Sequence, residues 1–567
     1  MKKSLHLRFM SAAMLMGFAC AASAANQTVT DAAGLKAAIE QAQDGDVITI
    51  DGTITMAEPI AIKGKTGLTI KGGTLDGDNK TLIFNISGKS QVTIEDMVFQ
   101  NAFHQGEKAG EEKGGAIRVE GGSLTINDCE FVNNHVSYNM LSDNGYPANW
   151  NGGGAIHATD VELNVKNTLF ENNSGHHGGA LTFWNSYGTF EECVFKGNDA
   201  KLPEDLINGT DTHGGGAVFV RWDNGTPKTF KFLNCAFTEN SAPRMGGALE
   251  FMTGADSSTK DYKNNKLIVQ GCSFVGNKTL TTEITERGRG GAIELSAERA
   301  LTVDILASTF ANNITRNNGG AIDLNAAEKE GHYVRLNIVN CTITGNKITN
   351  DGGGNGGGIY LQRLPKMGDT QVTEVNVINT IIAGNKGVLS GAETNSDFRI
   401  QNGNTPYGEC IKNLRNCLIR DLNQRENLEV YDINYEGTKC GNGDGFDFGV
   451  TAGLLDPDAL FGEMVDDSYF PLKADCYAVT NKMSDADALA AEFGLTTDQL
   501  GQTLNRNLIG AVSLLEGETP GTTGIKEVVT EEMENTDDSY YTIGGVRVSK
   551  PSKPGIYIHK GKKFVVR

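Results

Sequence analysis

Three carboxylates occupy the same place in a repeated motif, which gives them a possible chemistry. Glu250, Glu294 and Asp323 each directly follow a Gly-Gly-Ala-aliphatic tetrapeptide. If the copies stack, the carboxylates stand in lateral register, which is unfavourable unless a cation or an arginine neutralises them. A Ca²⁺ ion suits three such ligands, and two carboxylates roughly 5 Å apart suit a glycosidase acid and nucleophile. The alternative is a solvated outer face whose side chains avoid one another.

Aromatic and basic side chains fall near the same positions and indicate a binding face. Period-2 alternation after each Gly-Gly pair points two columns of residues outward. The first column is Arg118, His157, Thr182, Phe219, Glu250, Glu294, Asp323 and Tyr360, and the second is Glu120, Thr159, Trp184, Arg221, Met252, Ser296, Asn325 and Gln362. Exposed indoles beside polar groups suit stacking on sugars or partner surfaces. The predicted ligand-binding residues are Trp184, Phe219, Arg221, Trp222, Trp150 and Tyr360, although Trp222 and Trp150 can instead pack inserted loops.

Arginine and histidine side chains near these positions are further candidates for a catalytic base and for metal ligands. A lyase needs a base, for which Arg118 or Arg221 are the candidates on this face. His176, His177 and His213 lie in neighbouring corners and can bind a metal, but corner histidines are mostly solvated.

The elements that position these residues are repeated β-strands. An eleven-residue pattern with an apolar anchor near its end recurs between residues 92 and 385, and a Gly-Gly-Ala/Gly-aliphatic motif appears eight times. The period-2 alternation predicts two short strands per repeat, and repeats on this scale predict a solenoid. Stacked coils of a parallel β-helix place like residues over like, about 4.8 Å apart.

The repeats also predict the interior and the corners. The Gly-Gly pair suits a tight corner where a Cβ would clash, and stacked Asn amides can bond to one another. Five cysteines share one register with Thr168, Ser308, Thr380 and Met97, which indicates a buried column of small side chains rather than a metal site. They are Cys129, Cys193, Cys235, Cys272 and Cys341.

Two further features complete the solenoid. Leu35, Ala38, Ile39 and Ala42 have helical spacing, which predicts an amphipathic helix that caps the first coil. The long insertions, such as residues 102–113, 135–151, 199–213 and 278–289, precede Gly-Gly pairs and therefore leave one corner. Insertions on one side of a repeat protein often mark its binding side.

The paired Gly-Gly-Ala-Ile and Phe-x-x-Asn signatures resemble the repeats of the chlamydial polymorphic membrane proteins. More broadly, residues 26–390 resemble the right-handed parallel β-helix superfamily that includes pectate lyases. The resemblance implies an all-β, right-handed parallel β-helix, but that fold hosts adhesins, lyases and hydrolases alike. The C-terminus departs from the chlamydial proteins, because no run of alternating ten-residue segments suggests a membrane barrel.

The N-terminus predicts export. Residues 1–24 combine Lys2, Lys3 and Arg8 with an apolar stretch and the small-residue site Ala22-Ser23-Ala24, which indicates a secretory signal. Cys20 raises the alternative of a lipid anchor. No other apolar run is long enough to span a bilayer.

The C-terminal third divides into three parts. Residues 391–515, with weaker repeats, are interpreted as final coils and a cap, where Cys410, Cys417, Cys440 and Cys476 can pair in three ways. Residues 516–539 form an acidic linker. Residues 540–567, with Gly544-Gly545-Val546-Arg547 and Gly555-Ile556-Tyr557-Ile558, resemble a Bacteroidetes C-terminal sorting domain for type IX secretion. The alternative for this tail is an ordinary β-hairpin cap.

The net charge of the chain limits the classes of molecule that it can bind. The chain carries −20 in total, with seven cationic residues in the tail and three in the signal, so residues 9–539 carry −30. This charge disfavours nucleic acid as a partner. The leading hypothesis is an exported, adhesin-like β-helix that binds glycans or host macromolecules and uses its tail to meet the export machinery. The alternative is a polysaccharide lyase or glycoside hydrolase, for which an acidic substrate requires a basic groove or Ca²⁺.

Overall fold

The structure is a computed structural model of the 567-residue chain. It describes residues 25–105, 113–137, 152–201, 214–223, 228–254, 265–279, 288–297, 301–326, 333–351, 356–362, 372–400, 410–423, 433–441, 450–519, 540–542, 547–548, 555–559 and 562–566.

The described body is a parallel β-helix, as predicted. Each complete coil passes through four strands rather than the predicted two, and the strands build sheets that we number 1 to 4 in the order the chain visits them. Sheets 1 to 4 hold 13, 13, 10 and 12 strands. Only two residues separate sheet 1 from sheet 2 in a coil, and the first of them is in the left-handed conformation, as Asp128 is at φ 56°, so the sequence shows no long break there.

Sheets 1 and 2 run the length of the solenoid. Sheet 1 contains Asn26–Val29, Val47–Ile50, Thr66–Lys71, Gln91–Glu95, Ser123–Asn127, Glu162–Lys166, Tyr187–Glu191, Thr229–Leu233, Lys266–Gln270, Leu301–Leu306, Tyr333–Val339, Val372–Ile378 and Ile411–Arg415. Sheet 2 contains Thr53–Thr55, Thr74–Asp76, Val98–Gln100, Glu130–Val132, Leu169–Glu171, Val194–Lys196, Ala236–Thr238, Ser273–Val275, Thr309–Ala311, Thr342–Thr344, Ile381–Ala383, Leu418–Ile419 and Lys439–Cys440.

Sheets 3 and 4 close each coil. Sheet 3 contains Phe103–His104, His135–Val136, Ser174–Gly175, Asp199–Ala200, Ser241–Ala242, Lys278–Thr279, Ile314–Thr315, Lys347–Asp351, Lys386–Leu389 and, antiparallel to the last, Ala392–Asn395. Sheet 4 contains Ile60–Lys63, Phe84–Ser87, Ile117–Glu120, Ile156–Thr159, Leu181–Trp184, Val218–Trp222, Leu249–Thr253, Ile293–Ala297, Ile322–Ala326, Ile359–Gln362, Phe398–Ile400 and Leu422–Asn423.

The predicted N-terminal cap is a helix at Ala32–Gln41. Asp31 begins it by accepting a hydrogen bond from the Gly34 amide at 2.7 Å, which satisfies one of the free N–H groups of the first turn. Leu35, Ala38 and Ile39 are its buried residues, and they join the core of the solenoid.

A column of stacked phenylalanines fills the interior behind sheet 2. Neighbouring ring centroids lie 4.5–5.1 Å apart with planes within 11° of parallel. The stacked rings are those of Phe99, Phe131, Phe170, Phe195, Phe237, Phe274 and Phe310. Ile343 and Ile382 continue the same register on the next two coils.

A buried asparagine ladder holds the corner between sheets 2 and 3, as the repeats suggested. Except for the last, each side-chain amide donates to the Oδ1 atom of the asparagine on the next coil at 2.7–3.0 Å. The ladder comprises Asn134, Asn173, Asn198, Asn240, Asn277, Asn313, Asn346 and Asn385. Because these amides are inaccessible to water, the mutual bonds are the means by which the corner satisfies its polar groups.

The Gly-Gly pair forms the corner between sheets 3 and 4. Gly246 has φ 58°, and a Cβ there would lie 2.3 Å from the Leu249 carbonyl oxygen. A Cβ on Gly247 would lie 2.0 Å from the carbonyl oxygen of Gly291 on the next coil. The coils therefore approach too closely at this corner for any other residue.

The cysteines are packing residues. All nine cysteines of the described chain are free and buried, including Cys410, Cys417, Cys440 and Cys476, whose disulfide state the sequence left open. Cys417 instead extends the predicted column, with its Sγ donating to the Val377 carbonyl oxygen. Burial raises the pKa of Cys341 to about 12, which keeps that thiol protonated and unreactive.

Residues 450–519, which we call the side segment, pack along the solenoid rather than only over its end. The segment contains a 3₁₀ helix at Ala452–Leu455 and short α-helices at Pro457–Leu460, Tyr477–Thr480 and Ala486–Glu492. The Thr309 hydroxyl on sheet 2 donates to Gln499, and the Ala511 amide donates to the Thr342 hydroxyl at 3.0 Å. These contacts cover the outer face of sheet 2 on the later coils.

The tail contains a four-stranded antiparallel sheet. Its strands are Tyr540–Thr542, Arg547–Val548, Gly555–His559 and Lys562–Val566. None of the helices in the described part of the chain has the length and apolar character needed to cross a bilayer.

Candidate functional site

The outward face of sheet 4 brings the predicted site residues into two continuous columns. Glu250, Glu294 and Asp323 pair in register on three neighbouring strands, as the repeat predicted. Trp184 pairs with Arg221 in the second column, and Asp323 is followed by Tyr360 in the first. We call this surface the sheet 4 face.

Long connections adjoin both ends of the sheet 4 strands in the chain. The predicted insertions, such as the segment between residues 201 and 214, enter sheet 4 from sheet 3. A second set leaves sheet 4 for sheet 1, between residues 253 and 266 and between 362 and 372. The sequence signal for this second set is a longer interval between the Gly-Gly motif and the next sheet 1 strand than in the earlier coils.

The carboxylate column is buried. Glu250, Glu294 and Asp323 each have 0 % exposure, so the interpretation as a solvated face is wrong. Each carboxylate accepts a hydrogen bond from its own donor: the Gly214 amide for Glu250, the Ser296 hydroxyl for Glu294 and the Gln362 amide for Asp323.

Burial changes the protonation of the middle carboxylate. The pKa of Glu294 is raised well above its usual value, first by desolvation and then by the charges of Glu250 and Asp323. Arg289 and the hydroxyl of Ser296 act in the opposite direction. Glu294 therefore favours the neutral acid, which relieves the like-charge repulsion of the column.

The carboxylates do not form a ready calcium site. Within the described residues, no three His, Cys, Asp or Glu side chains converge closely enough to hold a metal ion. Glu250, Glu294 and Asp323 stand about one strand spacing apart along the axis and face separate partners, whereas Ca²⁺ needs six to eight oxygens around one point.

The two arginines proposed as bases are engaged elsewhere. Arg118 is ion-paired with Glu120 and lies four strands before Glu250, or roughly 19 Å along the axis. The Nε of Arg221 donates to both carboxylate oxygens of Asp223 at 2.8 and 2.9 Å. Both guanidinium groups are therefore held by a carboxylate two residues further along the chain.

The aromatic residues separate into surface and core. Trp184 is partly exposed, and the Arg221 guanidinium lies over its ring at 5.6 Å from the centroid. Trp222 is 1 % exposed and packs inside the solenoid, because period-2 alternation turns it inward next to the outward Arg221. Its Nε1 donates to the Ser186 carbonyl oxygen at 2.7 Å. The assignment of Trp222 to the binding face is therefore wrong.

The remaining predicted residues lie under cover or outside the described structure. Phe219 is fully buried and Tyr360 is 5 % exposed, although both point outward from sheet 4. The ring of Phe219 packs on His177 at 5.0 Å between centroids. Trp150 lies outside the described residues.

The corner histidines are buried rather than solvated. His176 and His177 are 2 % and 3 % exposed, and their rings meet edge to face at 4.2 Å, whereas His213 lies outside the described residues. His157, in the first column, was not singled out from the sequence. Burial, followed by the charges of Lys113 and Arg118, lowers its pKa well below the usual value, so this imidazole is neutral.

Comparison with known proteins gives one sequence relative. No protein-family model matches this chain. A probable outer membrane protein, PmpE of Chlamydia trachomatis serovar D, is 29 % identical over a 210-residue alignment that covers 35 % of this chain. The match spans a fifth of the length of that protein (20 %).

Comparison with solved structures gives remote likenesses. The match to a PL6 alginate lyase in complex with a trisaccharide covers 88 % of this chain and 97 % of the lyase chain, with 13 % sequence identity and a TM-score of 0.40. The match to a mannuronic acid specific family 6 polysaccharide lyase from human gut microbiota covers 73 % of this chain and 91 % of the lyase chain, with 12 % sequence identity and a TM-score of 0.36. The match to a mutant tailspike protein of E. coli bacteriophage HK620 covers 68 % of this chain and 63 % of the tailspike chain, with 12 % sequence identity and a TM-score of 0.30.

Proposed function

We propose that this chain is an exported surface or secreted β-helix protein that binds glycans or host macromolecules on its sheet 4 face. The observation that carries the proposal is the pair of Trp184 and Arg221. The pair is partly exposed on the face whose strands adjoin the long connections in the chain.

The pair has the chemistry of a sugar-binding platform. An indole face offers a large, rigid apolar surface, and its exposed edge tolerates water. Arg221 lies over the ring while Asp223 holds its Nε, so the guanidinium is positioned before a ligand arrives. Pre-positioned groups lose less conformational entropy on binding. Thr159 and the Arg118–Glu120 ion pair supply further polar groups on the preceding strands.

Export and surface location rest on separate features. Residues 1–24 have the organisation of a secretory signal, and residues 540–567 resemble a type IX sorting domain, so the tail is the segment proposed to meet the export machinery. The chlamydial relative is described as an outer membrane protein, which fits a cell-surface location.

The experiment compares two cation–π pairs of the same protein. Trp184→Ala is expected to weaken binding of a glycan by roughly tenfold or more, because an aromatic anchor near the centre of an interface carries much of its energy. Tyr333→Ala is the matched control, since Arg335 lies 5.6 Å from that ring on sheet 1, away from the proposed face. The protein is first screened on a glycan array, and the affinities are then measured by titration calorimetry.

Equal affinities of Trp184→Ala and Tyr333→Ala would exclude the aromatic platform. A glycan array without any signal would leave a protein partner, which the same two variants test in binding to host surface extracts.

The second candidate function is a polysaccharide lyase or glycoside hydrolase. The observation in its favour is that Glu294, with its raised pKa, stands between two carboxylates, as an acid beside a nucleophile would. Its complete burial opposes the idea, because a substrate must reach the reacting atoms. New unsaturated ends from a uronate polysaccharide, with or without Ca²⁺, that disappear in Glu294→Ala would overturn the binding-protein proposal.

A further inference from the structure

The asparagine ladder ends on an acid. Asp397 takes the acceptor place of a ninth asparagine, because the backbone and side-chain amides of Asn385 both donate to its Oδ1 at 2.7 Å. The asparagines within the ladder use their second side-chain atom as a donor to a carbonyl of an earlier coil, as Asn385 does to Ile343 at 2.9 Å. In Asp397 the corresponding atom is the oxygen Oδ2.

This oxygen has no donor in the described structure. Asp397 has 0 % exposure, and its Oδ2 is buried with no hydrogen-bond partner among the described residues. A buried carboxylate oxygen without a donor is costly, whereas a protonated Oδ2 is itself a donor like the amide of the asparagine it replaces.

Charged neighbours act on Asp397 from the next coil. Asp421 occupies the stacked position directly after it, since Phe398 pairs with Leu422. The charge of Asp421 disfavours ionisation of Asp397, and that of Arg420 favours it. Arg420 is partly committed, because its Nε donates to Asp456 of the side segment at 2.8 Å.

We propose that Asp397 is a proton-operated latch for the C-terminal end of the solenoid. With a proton on its carboxyl group, the ladder closes as it would with a ninth asparagine. When the proton is lost, a buried carboxylate faces Asp421, and the described last coils (residues 398–400, 410–423 and 433–441) loosen together with the side segment that Arg420 holds.

The direction of the pH effect follows from the pKa. Burial is the largest cause that raises the pKa of Asp397, from 3.8 to about 8. Between these values the folded chain binds more protons than the unfolded chain, so this group makes the free energy of unfolding fall as the pH rises. The stabilisation is fully present below pH 3.8 and is lost as the pH passes about 8.

The test is hydrogen exchange of the full chain, with each rate normalised to that of the unfolded chain at the same pH. In the wild type, protection of peptides from residues 411–423 and 433–441 is expected to fall by roughly tenfold or more from pH 6 to pH 9. In Asp397→Asn, which supplies the missing donor and has no charge, protection is expected to change by less than about twofold. Peptides from residues 117–136, at the other end of the ladder, serve as the internal reference.

A second variant keeps the test decisive if Asp397→Asn folds poorly. Asp421→Asn removes the neighbouring charge and leaves Asp397 titratable. Because the charge of Asp421 raises the pKa of Asp397, its removal is expected to lower that pKa and to move the loss of protection to a lower pH than in the wild type. Parallel pH profiles for the wild type and Asp397→Asn, or an unmoved midpoint in Asp421→Asn, would overturn the latch.

Discussion

Replacing Asn313 with alanine is expected to lower the free energy of unfolding by about 3–6 kcal/mol, because it leaves several buried polar groups unsatisfied. The Asn313 Oδ1 accepts from the backbone and side-chain amides of Asn277 at 3.0 and 2.9 Å. Its own side-chain amide donates to the Phe274 carbonyl oxygen and to Asn346. All of these groups are inaccessible to water, so no solvent replaces the lost bonds.

The neighbouring residue provides the control. Asn312 is exposed and has φ 57°, and the positions above and below it on adjacent coils are Gly276 and Gly345. Asn312→Gly is therefore expected to change the stability by less than about 0.5 kcal/mol. Urea unfolding followed by circular dichroism measures both variants, and equal effects would show that the ladder does not hold this corner.

The second large effect is expected at the centre of the phenylalanine column. Phe237 stacks on Phe195 and Phe274 at 4.7 and 4.5 Å between centroids and is fully buried. Phe237→Ala is expected to cost about 3–5 kcal/mol, since it removes buried apolar surface and leaves a cavity that rigid neighbouring coils cannot fill.

Two further variants serve as comparisons for the stability loss of Phe237→Ala. Phe237→Leu is expected to cost less than Phe237→Ala, because aliphatic Ile343 and Ile382 already occupy the same register on later coils. Tyr187→Ala, at an aromatic residue that is 38 % exposed, is expected to stay within about 0.5 kcal/mol. A Phe237→Ala loss as small as that of Tyr187→Ala would contradict a packed column.

The sequence predicts the register well because the repeat itself encodes it. Glu250, Glu294 and Asp323 share a position relative to Gly-Gly, and the strands that carry them pair in the same register. The same reasoning predicts the asparagine ladder and the cysteine column. In a parallel stack, identical spacing from a fixed corner is sufficient to place side chains over one another.

Burial of the sheet 4 face could not be predicted in this way. Alternation tells which residues leave the core, but it does not tell what covers them once they have left. Glu294 and Phe219 both point outward and are nevertheless buried. The error at Trp222 has a different cause. Period-2 alternation from the inward Val220 places Trp222 inside the solenoid, but the residue was assigned to the binding face because it directly follows Arg221 in the sequence.

The packing of the side segment against the solenoid could not be predicted from the sequence either. The side segment was predicted as part of a cap, yet Gln499 contacts Thr309 across 190 residues. Its short helices carry too few apolar positions to show which face of the solenoid they meet. The export signal and the sorting tail remain predictions from residue patterns alone.

The most direct test of a sheet 4 binding face is the fluorescence of Trp184 in a Trp150→Phe variant. Trp222 is 1 % exposed and provides a constant internal background. As a glycan selected on the array is added, we expect the emission to change and to saturate with the dissociation constant that calorimetry gives for the same glycan. Calorimetric binding of that glycan with unchanged emission would contradict a binding face on sheet 4, because the ligand would then occupy another surface.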